Sequence, residues 1–459
     1  MIKMTLAELA RILGTECSNP DVIFTGLSKD NRRDTLGTLY VALKGEQFDG
    51  HDFVKDACEK GAAAALVSRH IDDNIPQIIV PDTLLALGTL AKNWRNRFSL
   101  PLIGVTGSNG KTTSKNMIAA ILTAACQGNN AKVLATQGNL NNTIGLPFTL
   151  VNLNEQHRYG VIEMGMNIPG EISYLTDITK PQAALITNAA EAHLKGVQDV
   201  AGVAREKGII FSGLPATGTA VLNRDDAFYE YWRTLVTGHT IISFGLQPGA
   251  DVSAVIHDTS STTHQYITLQ TPDGQVDINL ALIGKHNIRN AVGAAAAAYA
   301  IGIDLAAIKT GLENTRPEQG RITPHLLSNG ARVIDDTYNA NPFSTHAAIN
   351  TLATYSGKKI LVLGDMRELG PEEIALHKLT GERALTAGID YLFTLGNLTA
   401  ETTKAFGKNA AHFTDRNQLI KALQPYLQDG TTVLVKGSRS MHMELIIAEL
   451  LPDGAVTAH

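Results

Sequence analysis

Residues 102–125 read LIGVTGSNGKTTSKNMIAAILTAA, and every other segment can be placed relative to this one. Leu102 to Val105 form a short apolar run that reads as a buried strand, while Met117, Ile118, Ile121, Leu122 and Ala125 recur at helical spacing. Between them lie Thr106, Gly107, Ser108, Asn109, Gly110, Lys111, Thr112 and Thr113. Strand, glycine-rich turn and helix in that order are the setting of a phosphate-binding loop. The glycines let the backbone turn tightly, so that amide groups face phosphate oxygens, and the helix adds the positive end of its dipole. Lys111 would neutralise the terminal phosphates and the Thr112 hydroxyl would ligate magnesium. The pattern G-x-x-x-x-G-K-[ST] is not met in full, because the residue five before Gly110 is Val105, with Gly104 and Gly107 on either side. The loop therefore reads as a shortened variant. The alternative is a glycine turn that only joins strand to helix; nucleotide phosphate binding is the working premise.

A chain of 459 residues is too long for one ordinary core and suggests about three domains. The net charge of −5 and the absence of a long basic run give no nucleic-acid signature. Cys17, Cys58 and Cys126 lack metal-like spacing, which argues against a zinc site or a disulfide framework and for small buried hydrophobes. The opening MIKMTLAELARILG is amphipathic rather than a leader, and the small-residue run Ala291 to Ala300 is too short to span a bilayer. A cytoplasmic protein with no membrane span is expected.

The fold expected is α/β in three domains: a small unit over 1–84, a central parallel-sheet domain over 85–314, and a third, Rossmann-like domain over 315–459. In the first, strands at Thr38 to Leu43, Ala64 to Val67 and Ile78 to Val80 alternate with a helix from Phe53 to Lys60. A helix around Leu84 to Phe98 leads into the central domain. There, apolar runs at Tyr159 to Ile162 and Ala183 to Ile186 are each followed by polar residues, Glu163 in one case, Thr187, Asn188 and His193 in the other. In parallel sheets the ligand crevice lies beyond the carboxyl ends of the strands, so these residues should converge on the phosphate loop. Residues 250–285 alternate as antiparallel strands before an alanine-rich helix. Strands at Arg332 to Ile334, Lys359 to Leu363, Tyr391 to Leu395 and Thr432 to Val435 build the third domain, which lacks a G-x-G-x-x-G fingerprint.

Several strand ends carry chemistry. Glu163 stands where a metal-binding acid faces a phosphate loop. His193, read alone, suits a surface loop as well as a ligand. Lys207 reads as an ordinary solvated helix lysine. His286, Asn287 and Asn290 open the alanine-rich helix, with the two amides three apart on one face, placed either to cap it or to meet an adenine edge. Arg321 suits a phosphate clamp or a surface ion pair. Asp335, Asp336, Tyr338, Asn339 and Asn341 crowd one loop, and Lys436, Ser438 and Arg439 follow a later strand, suiting a carboxylate or phosphate ligand.

Taken together, TGSNGKTT, Gly138-Asn139-Leu140-Asn141-Asn142, EMG, the Thr187 to Leu194 segment, GKHNIRNA, DDTYNANP, LGDMREL and KGSRS resemble the Mur ligase family, over nearly the whole chain. GNLNN, DDTYNANP and FDGHDF point to the members that add D-alanyl-D-alanine to a UDP-N-acetylmuramoyl-tripeptide. The resemblance implies a monomeric ATP-dependent ligase of peptidoglycan precursor synthesis, acting through an acyl phosphate on small-molecule substrates. It implies ATP held by the phosphate loop, Thr106 to Thr113, with Asn287 and Asn290 at adenine, His286 and Tyr338 beside it, Asp336 at the ribose and Arg321 at the phosphates. It implies two magnesium ions, one on Thr112 and Glu163 and a second using His193, and a carbamylated Lys207. For the UDP-peptide and dipeptide substrates it points to Ser28, Asp30, Arg32, Asn139, Asn141, Asn142, Asn339, Lys436 and Arg439. Within the ligases, another family member or a folylpolyglutamate synthetase is the competing reading; from another class, a nucleotide-switched binding protein.

Overall fold

The structure, a computed structural model, describes residues 1–32, 35–45, 47–191, 194–197, 199–258 and 264–451. Three parallel sheets organise it. In the first domain the strands Leu27–Ser28, Leu39–Val41, Ala64–Val67 and Gln77–Ile79 pair in that order, beside a two-stranded antiparallel ribbon of Lys3–Thr5 and Ile23–Thr25 that the sequence pattern does not announce. The amphipathic opening forms the helix Leu6–Leu13, capped by Thr5 at its start and by left-handed Gly14 at its end.

The helix Thr83–Arg95 ties this unit to the next. Asp82 caps it, and its far end reaches into the central domain: Trp94 Nε1 donates to the Leu153 carbonyl at 3.0 Å and Arg95 Nε to the Thr179 carbonyl at 3.1 Å. Apolar side chains of both domains, among them Leu66, Ile78, Leu87, Leu146 and Ile162, share one core.

The central sheet has six parallel strands in the order Thr240–Phe244, Thr219–Asn223, Ala183–Ile186, Leu102–Thr106, Tyr159–Glu163, Val133–Ala135. The first, second and last of these lie outside the runs read from sequence. The strand before the phosphate loop sits near the middle, between Ala183–Ile186 and Tyr159–Glu163, so the carboxyl ends of all three open on the same crevice. One face of the sheet is covered by the helix Lys111–Ala125 and by the alanine-rich helix Lys285–Tyr299, whose Ala291 and Ala294 to Ala298 are wholly buried. Small side chains along that stripe let the helix lie close to its neighbours. The antiparallel strands Ser253–Asp258, Gln265–Thr271 and Gly274–Leu280 form a separate three-stranded sheet against the same core.

The third domain has the strand order Thr323–Leu326, Arg332–Asp336, Thr431–Lys436, Lys358–Gly364, Tyr391–Leu395, Ala410–Phe413, all parallel except the first. Its strands are buried on both faces, as their continuous apolar runs require. Of the three cysteines only Cys126 is buried, at the end of the helix Lys111–Ala125, whereas Cys17 and Cys58 are half-buried, so the expectation of three buried residues holds for one. No helix among the described residues is long and apolar enough to cross a membrane.

The phosphate-loop helix is braced from behind by the helix Leu305–Asn314, which crosses it so closely that a Cβ on Gly311 would lie 2.3 Å from Ile121 Cα. Gly311→Ala is expected to destabilise the central domain by about 1–3 kcal/mol through overpacking. A thermal midpoint equal to that of the parent chain would contradict this crossing.

Candidate active site

Two glycines shape the phosphate loop. Gly107 has φ +150° and Gly110 φ +79°, and a Cβ on the first would lie 1.8 Å from Thr187 Oγ1, on the second 2.3 Å from Asn290 Oδ1. The loop is gripped from one side by the segment after the strand Ala183–Ile186. Ser108 N donates to the Asn188 carbonyl at 2.9 Å, Asn109 N to Asn188 Oδ1 at 3.0 Å, and Asn188 Nδ2 and Thr187 Oγ1 donate to the Asn109 carbonyl at 2.9 and 2.6 Å. The amides of Ser108 and Asn109 are therefore committed, contrary to the expectation that successive loop amides face phosphate. The N–H groups of Gly110 to Thr113, in and just before the first helical turn, are the ones left for an anion.

Lys111 curls over the loop, its Nζ donating to the carbonyls of Gly107 at 2.7 Å and Ser108 at 3.3 Å. Burial holds its ammonium below the usual lysine range, partly countered by Glu163. Glu163 is buried at the end of its strand; its Oε1 accepts from Asn141 Nδ2 at 2.8 Å and from Thr112 Oγ1 at 3.3 Å, while Oε2 is a buried oxygen without a partner among the described residues. A hydroxyl and a carboxylate oxygen side by side, with one lone-pair site unspent, fit a hard cation such as magnesium, which takes oxygen ligands and keeps water and phosphate for the rest. No group of three or more His, Cys, Asp or Glu suited to a metal occurs among the described residues, so the protein alone would supply only part of the coordination.

The third domain forms the opposite wall. Arg321 leaves a turn in which Gly320 N donates to Asp335 Oδ2 at 3.1 Å. Its Nη2 donates to Thr112 Oγ1 at 3.0 Å and its guanidinium lies 4.1 Å from the Tyr338 ring centroid. Asn341 Nδ2 donates to Asn109 Oδ1 at 2.8 Å, and Asn116 Nδ2 to Glu318 Oε2 at 3.3 Å. Asp336 is paired with Lys436, Nζ to Oδ2 at 2.7 Å; burial pushes the Asp336 carboxyl up, opposed chiefly by that ammonium. The same Nζ reaches the Asn339 carbonyl at 2.9 Å.

Between the walls lies a cavity of about 680 Å³. Ser108 to Thr113, Asn139, Asn141, Asn142, Glu163, His286, Asn287, Asn290, Arg321, Asp336, Tyr338, Asn339, Lys436 and Arg439 all border it. Ser28, Asp30 and Arg32 do not. Arg32 is exposed and grips Asp30 with two bonds, Nε to Oδ1 at 2.9 Å and Nη2 to Oδ2 at 2.8 Å, and Ser28 Oγ donates to the Asp30 carbonyl. Thr106 and Gly107 stand behind the loop; Thr106 Oγ1 donates to the Met164 carbonyl at 2.9 Å. His193 lies outside the described residues.

Three readings change. Lys207 is not a solvated helix lysine: it is 1 % exposed, and burial, reinforced by Lys111, holds its amine well below the usual lysine value. Asp335 does not share the ligand face with Asp336, because adjacent strand residues point to opposite sides; it serves the Gly320 turn and Thr337 instead. Lys436 is nine-tenths and more buried against Asp336, so it acts on that carboxylate before any substrate. Asn341 is missed as a link between domains, although Asn before Pro342 is a helix-start signal and the structure shows it capping Pro342–Ala353.

What the fold and crevice define is a three-domain α/β protein with a phosphate-loop site closed by a separate domain. The chain belongs to the Mur ligase family: residues 25–95 match the family model "Mur ligase family, catalytic domain", 105–298 "Mur ligase middle domain" and 320–439 "Mur ligase, glutamate ligase domain". It is 44% identical to the UDP-N-acetylmuramoyl-tripeptide--D-alanyl-D-alanine ligase of Escherichia coli K12, over 99% of this chain and 100% of that one. The crystal structure of MurF from Acinetobacter baumannii superposes with a TM-score of 0.92 at 34% identity, covering 99% of this chain and 100% of that one. MurF from Thermotoga maritima, solved in complex with ADP, gives 0.81 at 26%, covering 92% and 96%.

His286, on the crevice, has its imidazole pushed down to about 4 by burial and by Lys436 and Arg289. Unfolding would let it take up a proton near pH 6.5, where the folded chain takes none until about pH 4, so stability falls as pH drops through that window. His286→Gln should flatten the acid limb of thermal midpoint against pH. A limb as steep as the parent's would show that His286 is not held neutral.

Proposed function

We propose that the chain is an ATP-dependent ligase joining D-alanyl-D-alanine to a UDP-N-acetylmuramoyl-tripeptide, giving the UDP-muramoyl-pentapeptide, ADP and phosphate. The observation that carries this reading is the meeting of the Thr112 hydroxyl, at the start of the phosphate-loop helix, with Arg321 of the third domain across one crevice. The full-length likeness to the Escherichia coli ligase names the substrates. The division into 1–84, 85–314 and 315–459 belongs to the same proposal, with the UDP-peptide entering from the first domain and ATP lying between the other two.

In this reading the tripeptide carboxylate oxygen attacks the γ-phosphorus, the bond to the β,γ-bridging oxygen breaks, and ADP leaves. The dipeptide amine then attacks the acyl carbon, loses a proton, and phosphate departs. Lys111 and the amides of Gly110 to Thr113 hold the transferring phosphoryl oxygens where charge collects, and Arg321 clamps them from the other wall. Thr112 and Glu163 would hold a magnesium ion, which supplies charge neutralisation between phosphates. His193 would serve a second ion. Asn287 and Asn290 face the adenine, with His286 and Tyr338 bordering the nucleotide, and Asp336, oriented by Lys436, accepts from the ribose. Asn139, Asn141, Asn142, Asn339 and Arg439 border the peptide path, while Ser28, Asp30 and Arg32 wait at the uridine end. Lys207 suits carbamylation, since burial favours the neutral amine, the nucleophilic form that carbon dioxide requires; carbamylated, it would supply a negative charge for a metal.

Phosphate release should depend strictly on both the UDP-tripeptide and D-alanyl-D-alanine, and Lys111→Ala should lower it on the order of a hundredfold or more with an unchanged circular dichroism spectrum. ATP hydrolysis that proceeds without either substrate would point instead to a nucleotide switch. Glu163→Gln should raise the half-saturating magnesium concentration about tenfold; a superimposable magnesium titration would remove Glu163 from the metal shell.

A further inference from the structure

The segment that grips the phosphate loop is itself held by residues outside the crevice wall. After the strand Thr219–Asn223 the chain turns through Arg224, Asp225 and Asp226. Asn223 Nδ2 donates to the Thr187 carbonyl at 2.7 Å, and Asp226 Oδ2 accepts from Ala189 N at 2.9 Å, its other oxygen from Phe228 N at 2.9 Å. These bonds flank Asn188, whose carbonyl and side chain fix Ser108 and Asn109. Asp225 reaches the other way. Its oxygens accept from Leu246 N and Gln247 N at 2.8 and 3.0 Å, and Oδ2 lies 3.3 Å from Arg289 Nε. Arg289 belongs to the first turns of the helix Lys285–Tyr299, which also carries Asn287 and Asn290.

We infer that Asp225 and Asp226 are positioning residues that fix the spacing between the phosphate loop and the helix facing the adenine, and so set nucleotide affinity and base preference. Asp226 acts on the phosphate end through Ala189 and Asn188; Asp225 acts on the base end through Arg289. Two adjacent carboxylates that each accept two backbone amides make a stiff turn, since a carboxylate has acceptor sites for both and no proton to misplace. Asp225 is largely buried at its ion pair with Arg289, so removing its charge leaves that guanidinium without its partner. Neither carboxylate borders the crevice, and neither would touch ATP. The inference rests on the reading of nucleotide binding at this crevice.

The test uses the full chain and ADP with magnesium, followed by calorimetry, together with steady-state constants for ATP, GTP and the dipeptide. Asp226→Asn should raise the ADP dissociation constant roughly tenfold, the scale of one hydrogen bond to a charged group, and leave the ATP-to-GTP preference as in the parent. Asp225→Asn should raise it similarly and also lower that preference. In both, the dipeptide KM should stay within about twofold, which a general loosening of the fold would not allow. Arg289→Met, at a residue that itself borders the crevice, removes the Asp225 pair from the helix side and should at least reproduce the lowered ATP-to-GTP preference of Asp225→Asn even if a loop variant fails to fold. ADP affinities within twofold of the parent, or nucleotide and dipeptide constants rising together, would overturn the assignment. A parent chain that binds no ADP would instead overturn the nucleotide reading beneath it.

Discussion

A loop that presents its backbone to an anion cannot be stabilised by side chains packed inside it, and here the restraint comes from outside. The reciprocal exchange between Asn109 and Asn188, with Thr187 beside them, fixes the loop while leaving Gly110 to Thr113 unspent. The space for that exchange exists only because Gly107 has no Cβ where Thr187 approaches. The order of the central sheet follows from the same need: the strands Ala183–Ile186 and Tyr159–Glu163 must flank Leu102–Thr106 for Asn188 and Glu163 to reach the loop from opposite sides.

The third domain meets the phosphate loop and its helix through polar pairs, while Ile283, just before the helix Lys285–Tyr299, packs into the third domain's core. Arg321 on Thr112, Asn341 on Asn109 and Glu318 on Asn116 are hydrogen bonds that rearrange without disturbing either sheet. The first domain is joined differently, through a shared apolar core about the helix Thr83–Arg95. Burial of apolar area is not undone by small displacements, whereas a few exposed polar contacts are. The first domain is thus held to the central one mainly by buried apolar area, and the third mainly by part-buried polar pairs with a smaller apolar contribution from Ile283.

How much of this the sequence shows depends on how local each feature is. The phosphate loop, the strand Ala183–Ile186 and the helix after Gly284 are legible because their patterns run over consecutive residues. The strands Thr219–Asn223 and Thr240–Phe244 are broken up by threonine, serine or asparagine, so their uninterrupted apolar runs are shorter than that of Ala183–Ile186. Alternation along the strand Arg332–Asp336 would have separated Asp335 from Asp336. Nothing local marks Lys207, because its neighbours Arg205 and Glu206 are polar and only the tertiary fold encloses it. The same holds for Asp225 and Asp226, whose partners lie tens of residues away.

The charges around the crevice lean to the positive side of the phosphate loop. Lys111 and Lys115 lie within the field of Glu163, Lys115 also within that of Glu318, Arg321 Nε is 3.3 Å from Glu318 Oε2, and Lys436 is matched by Asp336. Burial pushes the amines of Lys111, Lys115 and Lys207 down; Arg321 adds to this at the first two and Lys111 at the third, while Glu163 opposes it at Lys111 and Lys115. A fold selected for stability alone gains nothing from burying amines whose charged forms are disfavoured, since buried charge that is incompletely matched is destabilising. On the reading proposed above, a triphosphate would supply negative charge where Lys111 and Arg321 converge and would favour the charged form of the Lys111 amine. On that reading, the lowered Lys111 amine and the affinity for nucleotide would be two consequences of the same charge arrangement.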